Sequence, residues 1–217
     1  MVDWWKLSKS PYILRNKPYG HPRLRYCQGS TEQTREAIAK IEGKKNIMYQ
    51  GAINVDRDLS SLAQALKANN SEYYLVLSGR NENNSVEALT KIYPKTIYLG
   101  NIPAPLHLEI TSHATICVAF YKDNCINNRY CAPNKIYEYA GSGVPMLCNN
   151  IPGLTDTVGK SKAGECVDFY NQNAIIQAIN KINAHYEDYC TAAKEFFDLT
   201  DNSEKLKQIV NEAFGMK

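Results

Sequence analysis

The sequence predicts an α/β fold: a Rossmann-like parallel sheet with helices on both faces. Three observations lead there. From residue 46 onward, short apolar runs rich in β-branched and aromatic residues recur at regular intervals. Stretches with helical spacing lie between them, and several of the runs end at a glycine. Strands separated by helical segments argue for a parallel sheet with helices on both faces.

Taken in order, Ile47–Tyr49 reads as the first strand, ending at Gly51, and 59–68 as a helix with Leu59, Leu62, Ala63 and Leu66 on one face. A second strand, Tyr73–Leu77, ends at Ser78-Gly79 and is followed by a helix over Val86–Ile92. A third strand, Thr96–Leu99, ends at Gly100, with a helix over Leu106–Ser112 and a fourth strand over Thr115–Phe120. Next comes the segment Pro-Asn-Lys-Ile-Tyr-Glu-Tyr-Ala-Gly-Ser-Gly-Val-Pro, residues 133 to 145. Pro133 suits the first turn of a helix, and Gly141 and Gly143 end it. Strands at Val144–Cys148 and Glu165–Phe169 enclose a turn or short helix near Leu154–Val158. Helices over 174–183, 186–197 and 203–214 close the chain. Before residue 46, Pro11, Pro18 and Pro22 break regular structure, and only 31–41 has helical spacing. The domain reading is therefore 1–45 as an extension, 46–200 as the Rossmann-like domain and 201–217 as a C-terminal helix.

Ligands of open parallel sheets bind at the carboxyl ends of the strands. Here those ends carry the loops 51–58, 79–84, 100–105, 121–133 and 149–153. The helix after Pro133 follows the fourth of them. Its free N–H groups favour an anion, and its one carboxylate, Glu138, can accept hydrogen bonds from sugar hydroxyls. A ligand with a diphosphate attached to a ribose suits that pairing.

Other classes find less support. A net charge of +3 with no dense basic run gives no case for nucleic acid. Gly51 stands alone where a nicotinamide-binding fingerprint needs three glycines, and the phosphate-binding Gly-x4-Gly-Lys-Ser/Thr loop is absent. The seven cysteines form no CxxC pair and the four histidines show no metal-ligand spacing, so no metal and no cofactor are expected. Their odd number suggests reduced, mostly buried thiols; Cys125 and Cys131, flanking the loop before the key helix, leave one bridge open. The start lacks an uninterrupted apolar core and no apolar run approaches the ~18 residues of a membrane span, so a cytoplasmic setting is expected. Trp4-Trp5-Lys6 with Lys9 fits either contact with the inner face of a membrane or packing against a neighbouring domain.

The 133–145 segment resembles the nucleotide-sugar-binding motif of GT-B glycosyltransferases, especially glycosyltransferase family 4. The resemblance runs from about Pro11 to the end. It is also carried by Tyr49-Gln50-Gly51-Ala52-Ile53 with Arg57-Asp58-Leu59, by Leu75-Val76-Leu77-Ser78-Gly79, by Ile97-Tyr98-Leu99-Gly100-Asn101-Ile102-Pro103, and by Asn149-Asn150-Ile151-Pro152-Gly153-Leu154. It implies the C-terminal, donor-binding domain of a retaining, hexosyl-transferring enzyme that builds a cell-surface polysaccharide or glycoconjugate. Its substrate would be a nucleotide-diphosphate sugar. By the same resemblance Glu138 accepts the ribose hydroxyls, Arg57 pairs with the diphosphate at Gly51, and the backbone near Asn101 and Ile102 meets the nucleobase. Tyr130, Asn134 and Lys135 join the binding set.

Two positions depart from the family. Tyr130 stands where a second glutamate often contacts the transferred sugar, which leaves sugar recognition to Asn127, Asn128 or Tyr130 or makes 121–133 a plain polar loop. Ala52 stands where an arginine often follows the first glycine; Arg80 and Lys135 are the cations available to replace it. The acceptor-binding N-terminal domain has no counterpart in these residues and would come from a longer chain or a partner chain. On that account an isolated chain binds nucleotide but transfers little sugar. A non-catalytic nucleotide-sugar-binding or scaffolding subunit is the alternative.

Overall fold

The computed structural model describes residues 6–215; Trp4 and Trp5 lie outside them. In chain order the elements are α1 (Glu32–Ile41), β1 (Asn46–Gln50), α2 (Ser60–Ala68), β2 (Tyr74–Ser78), α3 (Ser85–Ile92), β3 (Thr96–Tyr98), α4 (His107–Thr111), β4 (Ile116–Ala119) and α5 (Ile126–Arg129). They continue with α6 (Asn134–Gly141), β5 (Met146–Asn149), α7 (Pro152–Leu154), β6 (Gly164–Val167), α8 (Gln172–Ala184), α9 (Tyr186–Leu199) and α10 (Ser203–Phe214). A 3₁₀ turn covers Val55–Arg57, and a π-helical turn, Thr155–Gly159, continues α7.

The strands form one six-stranded sheet in the order β3-β2-β1-β4-β5-β6, and every pairing is parallel. This is the α/β Rossmann-like architecture that the spacing of apolar runs predicts. Side chains alternate between the two faces, and each face has its own core. Met48, Val76, Cys117, Ala119, Met146 and Cys148 point to one core, shared with α1, α4, α6 and α9. Ile47, Tyr49, Leu75, Leu77, Ile116, Val118 and Leu147 point to the other, under α2, α3 and α8. The sheet order reverses direction between β1 and β4, so the crevice for a ligand opens at their carboxyl ends, at Gly51 and Tyr121.

Three local readings need correction. Pro133 is not inside the first turn of α6: it is the residue before it, with φ −70° and ψ 152°, and Asn134 opens the helix. The stretch 121–133 is not plain loop, because Ile126–Arg129 winds one helical turn, closed by the Arg129 amide on the Cys125 carbonyl at 2.9 Å. Inside it Asn128 is buried and bonded to Asn124 at 2.8 Å. The bridge left open between Cys125 and Cys131 is not formed, since all seven thiols are free.

Residues 6–30 have no regular structure but are firmly attached. The Arg15 amide donates to Asn202 Oδ1 at 2.9 Å, Lys17 Nζ donates to the Thr200 carbonyl at 2.9 Å, and Tyr12 bonds Glu212. Further along, Arg25 reaches the Ala114 carbonyl at 2.9 Å, and a capping box between Thr31 and Thr34 starts α1. Among the described residues no helix is long and apolar enough to cross a membrane.

At the crevice the loops after β1 and β2 meet backbone to backbone. Gly79, at φ +140°, lies so close to Gly51 that an added Cβ would sit 1.9 Å from the Gly51 carbonyl oxygen. Gly79→Ala is therefore expected to lower the unfolding free energy by about 2–3 kcal/mol in urea denaturation. A neutral result would mean that the close approach does not exist.

Candidate functional site

Arg57 is placed by its own turn. Asn54, the residue before the 3₁₀ turn, accepts from the amides of Asp56 and Arg57 at 3.1 and 3.2 Å, and its amide group bonds Glu82 at 2.9 Å. The half-buried guanidinium then lies 4.1 Å from the centre of the Tyr121 ring. Tyr121 is itself fixed by a reciprocal pair of hydrogen bonds: its amide donates to Asn149 Oδ1 at 3.0 Å and its carbonyl accepts from Asn149 Nδ2 at 2.7 Å. The last residue of β5 thus fixes Tyr121, two residues past β4, and Tyr121 in turn meets Arg57.

Lys135, the second residue of α6, comes to the same place from the opposite side. Its ammonium lies 4.2 Å from the centre of the Tyr49 ring and 5.4 Å from that of Tyr121. Tyr49 is buried and donates its hydroxyl to the Ala52 carbonyl at 3.0 Å. Gly51, at φ +133°, leaves room there: a Cβ on it would lie 3.1 Å from Lys135 Nζ. Among the described residues Lys135 Nζ has no hydrogen-bond acceptor and no carboxylate within ion-pair distance. Burial, together with the neighbouring Arg57 charge, pulls its pKa down to about 7, partly opposed by Glu138. Two cations thus converge on one aromatic ring with no anion between them.

Glu138 lies about one turn further along α6, half-buried. It pairs with neither Lys135 nor Lys160, the partners an exposed helix carboxylate would choose; Lys160 pairs with Asp156 at 2.8 Å. Its partner is His107, whose Nε2 lies 3.4 Å from Glu138 Oε1. His21 supports the same residue from behind: its Nε2 lies 2.8 Å from the Glu138 carbonyl, and its ring is buried against Gly141 and Phe197. Burial holds the His21 pKa below the usual histidine value, so this ring is neutral over a wider pH range than a free one. The four histidines read from sequence as scattered; in the fold, two of them flank the one carboxylate of interest. No local signal points to this, because His107 reaches Glu138 only through the packing of α4 on α6.

The remaining predicted residues are spread around this centre. Ile102 is buried, and Asn101 is exposed with its carbonyl accepting from Gln33 Nε2 at 3.2 Å. Tyr130 stands exposed at the end of α5 and Asn134 exposed at the start of α6; neither side chain is hydrogen-bonded among the described residues. Arg80, offered by sequence as a possible replacement cation, is largely exposed and lies 3.8 Å from Glu82. Pro133 supplies no side-chain cap to α6, and its carbonyl accepts from the Ile136 amide at 3.3 Å. A cavity of about 300 Å³ adjoins Arg57, lined also by Asn54, Ser60 and Lys122. Among the described residues no group of three or more His, Cys, Asp and Glu side chains is arranged to hold a metal.

Residues 30–195 match the family model described as glycosyl transferases group 1. The chain belongs to that family. No curated protein sequence matches it. Its fold is shared with sucrose-phosphate synthase from Thermosynechococcus elongatus, at TM-score 0.71 and 20% identity over 100% of this chain and 56% of that one. It is shared with HepE from Anabaena, solved in complex with UDP and glucose, at TM-score 0.67 and 12% identity over 88% and 54%. It is shared also with WaaG, a glycosyltransferase involved in lipopolysaccharide biosynthesis, at TM-score 0.61 and 16% identity over 93% and 56%. The group 1 chain spans about half the length of these structures. Its sheet is thus a Rossmann-like domain of the GT-B type.

His107→Leu leaves the half-buried Glu138 carboxylate without its partner. It is expected to cost about 1 kcal/mol of stability, with His107→Gln costing less. Chemical denaturation of both variants checks this, and equal, negligible losses would mean the pair carries no weight.

Proposed function

We propose that this domain binds the donor of a glycosyl transfer, a nucleotide-diphosphate sugar. The observation that carries the reading is the pair of basic side chains, Arg57 and Lys135, meeting at the Tyr121 ring beside Gly51 at the start of α6, with a carboxylate about one turn away. An anion belongs between the cations and the helix start, and a polyhydroxyl group beside the carboxylate. In this arrangement Arg57 meets the diphosphate at Gly51 and Glu138 accepts the ribose hydroxyls. The backbone near Asn101 and Ile102 borders the nucleobase, and Tyr130 and Asn134 rim the mouth on the sugar side.

The chemistry follows from the charges. When the bond between the sugar's anomeric carbon and the diphosphate oxygen breaks, its electron pair leaves with the diphosphate. Fixed cations and N–H donors aimed at that growing charge lower the barrier. Retention at the anomeric carbon, a hexosyl donor and a glycan or lipid-linked acceptor are carried over from family resemblance. The acceptor would sit on a second domain across the crevice, since the chain spans about half of its structural neighbours. A non-catalytic binding subunit remains the second reading, supported by Tyr130 where a sugar-contacting glutamate often stands.

Calorimetric titration with UDP, GDP, ADP and CMP is the direct test. Saturable binding of one nucleotide is expected, weakened by about 1.5–3 kcal/mol in Glu138→Ala with the fold intact. Unchanged affinity in that variant would remove Glu138 from the site. Arg57→Ala is expected to weaken nucleoside diphosphates more than monophosphates, and an equal loss for both would count against its role.

A further inference from the structure

We propose that Lys135 is the second diphosphate cation of this chain, reaching the phosphate subsite from α6 across the Tyr49 ring and replacing a charge that position 52 lacks. The proposal rests on the donor-site reading above. Its geometric basis is separate from it. Ala52 offers only a methyl group, and its carbonyl is engaged by Tyr49 Oη at 3.0 Å. Arg80 lies beside Glu82 at 3.8 Å. Lys135 Nζ instead sits beside Gly51, against the rings of Tyr49 and Tyr121, with Arg57 beyond Tyr121. Tyrosine faces hold a cation without neutralising it, so its charge is left for a ligand.

A lysine placed this way behaves differently from an arginine. An arginine stays charged under all ordinary conditions; a lysine gives up its proton when burial and a neighbouring cation make the charge costly. The groups around Lys135 are Arg57 from the turn after β1, Glu138 on its own helix, Cys131 before it and Cys117 on β4, with Tyr49 and Tyr121 as its ring contacts. Burial and Arg57 lower its pKa, and the more distant Glu138, occupied by His107, offsets this only in part. With a pKa of about 7 the empty site holds a largely neutral lysine at pH 8. A bound diphosphate brings negative charge and restores the proton. Binding therefore takes up a proton above pH 7, and affinity falls as the pH rises from 7 towards the pKa of the liganded state. Below pH 7 the lysine is already charged and this dependence is lost.

The experiment titrates UDP, GDP and ADP into the chain by calorimetry between pH 7 and 9, in two buffers of different ionisation enthalpy. Expected for the tightest of the three is uptake of about one proton per nucleotide near pH 8, with affinity dropping across the range. Lys135→Arg is expected to bind with little pH dependence. Lys135→Met is expected to lose roughly 10- to 100-fold in affinity for the diphosphate while remaining at least as heat-stable, because it removes an unpaired charge. Ala52→Arg added to Lys135→Met is expected to recover most of the lost affinity, again without pH dependence. Native affinity and native proton uptake in Lys135→Met, with Arg57→Ala still impaired, would overturn the proposal and leave the donor site standing. Binding of none of the three nucleotides by the unaltered chain would overturn both.

Discussion

Two basic side chains held against one tyrosine ring are the constraint around which the crevice is organised. The Arg57 charge, together with burial, makes a charge on Lys135 costly, and among the described residues neither side chain is ion-paired to a carboxylate. Such a pair lasts only if the backbone on both sides is rigid, and both sides are. The Asn54 cap holds the Arg57 turn, the Asn149 amide clasps Tyr121, and α6 carries Lys135 on a buried face through Ile136, Tyr137, Tyr139 and Ala140. These supports hold the two basic groups close despite the cost of charging both.

The sheet explains where this happens. A parallel sheet turns its strand ends all one way, and the order reverses between β1 and β4. At that reversal the neighbouring loops diverge and leave a gap, which in this chain is bounded by Gly51 and Tyr121. The same divergence lets a side chain from α6 pass over Tyr49 into the gap. Beside it Gly79 packs closely on Gly51. The carboxylate is positioned by different means, two buried histidines from separate parts of the chain, so charge and hydrogen-bonding functions rest on separate supports.

Much of this was legible in the residues. The strands declared themselves as short apolar runs ending in glycine, and α6 as a proline-led helix ended by glycines. Both signals are local, and local signals survive without knowledge of the fold. The helical turn at Ile126–Arg129 was not visible, because four mostly polar residues show no periodicity. Pro133 was misplaced by one residue, a distinction that depends only on its ψ angle. The partners of Glu138 were hidden for a different reason. His107 and His21 are far from it in sequence, and only the packing of α4 and of the segment before α1 brings them in. For the charge missing at position 52, sequence left Arg80 and Lys135 level. Exposure and the nearby Glu82 separate them in the fold.

The attachment of residues 12–17 to residues 200–212 has a mechanical consequence. Arg15 and Asn202 exchange two hydrogen bonds, Lys17 holds the Thr200 carbonyl, and Tyr12 reaches Glu212. The two segments form a seam, and His21, a few residues on, touches the backbone of Glu138. A pull on either segment is therefore shared with the other, and it reaches α6 both through the His21 imidazole and through α9, where the Phe196 ring stacks on Tyr137.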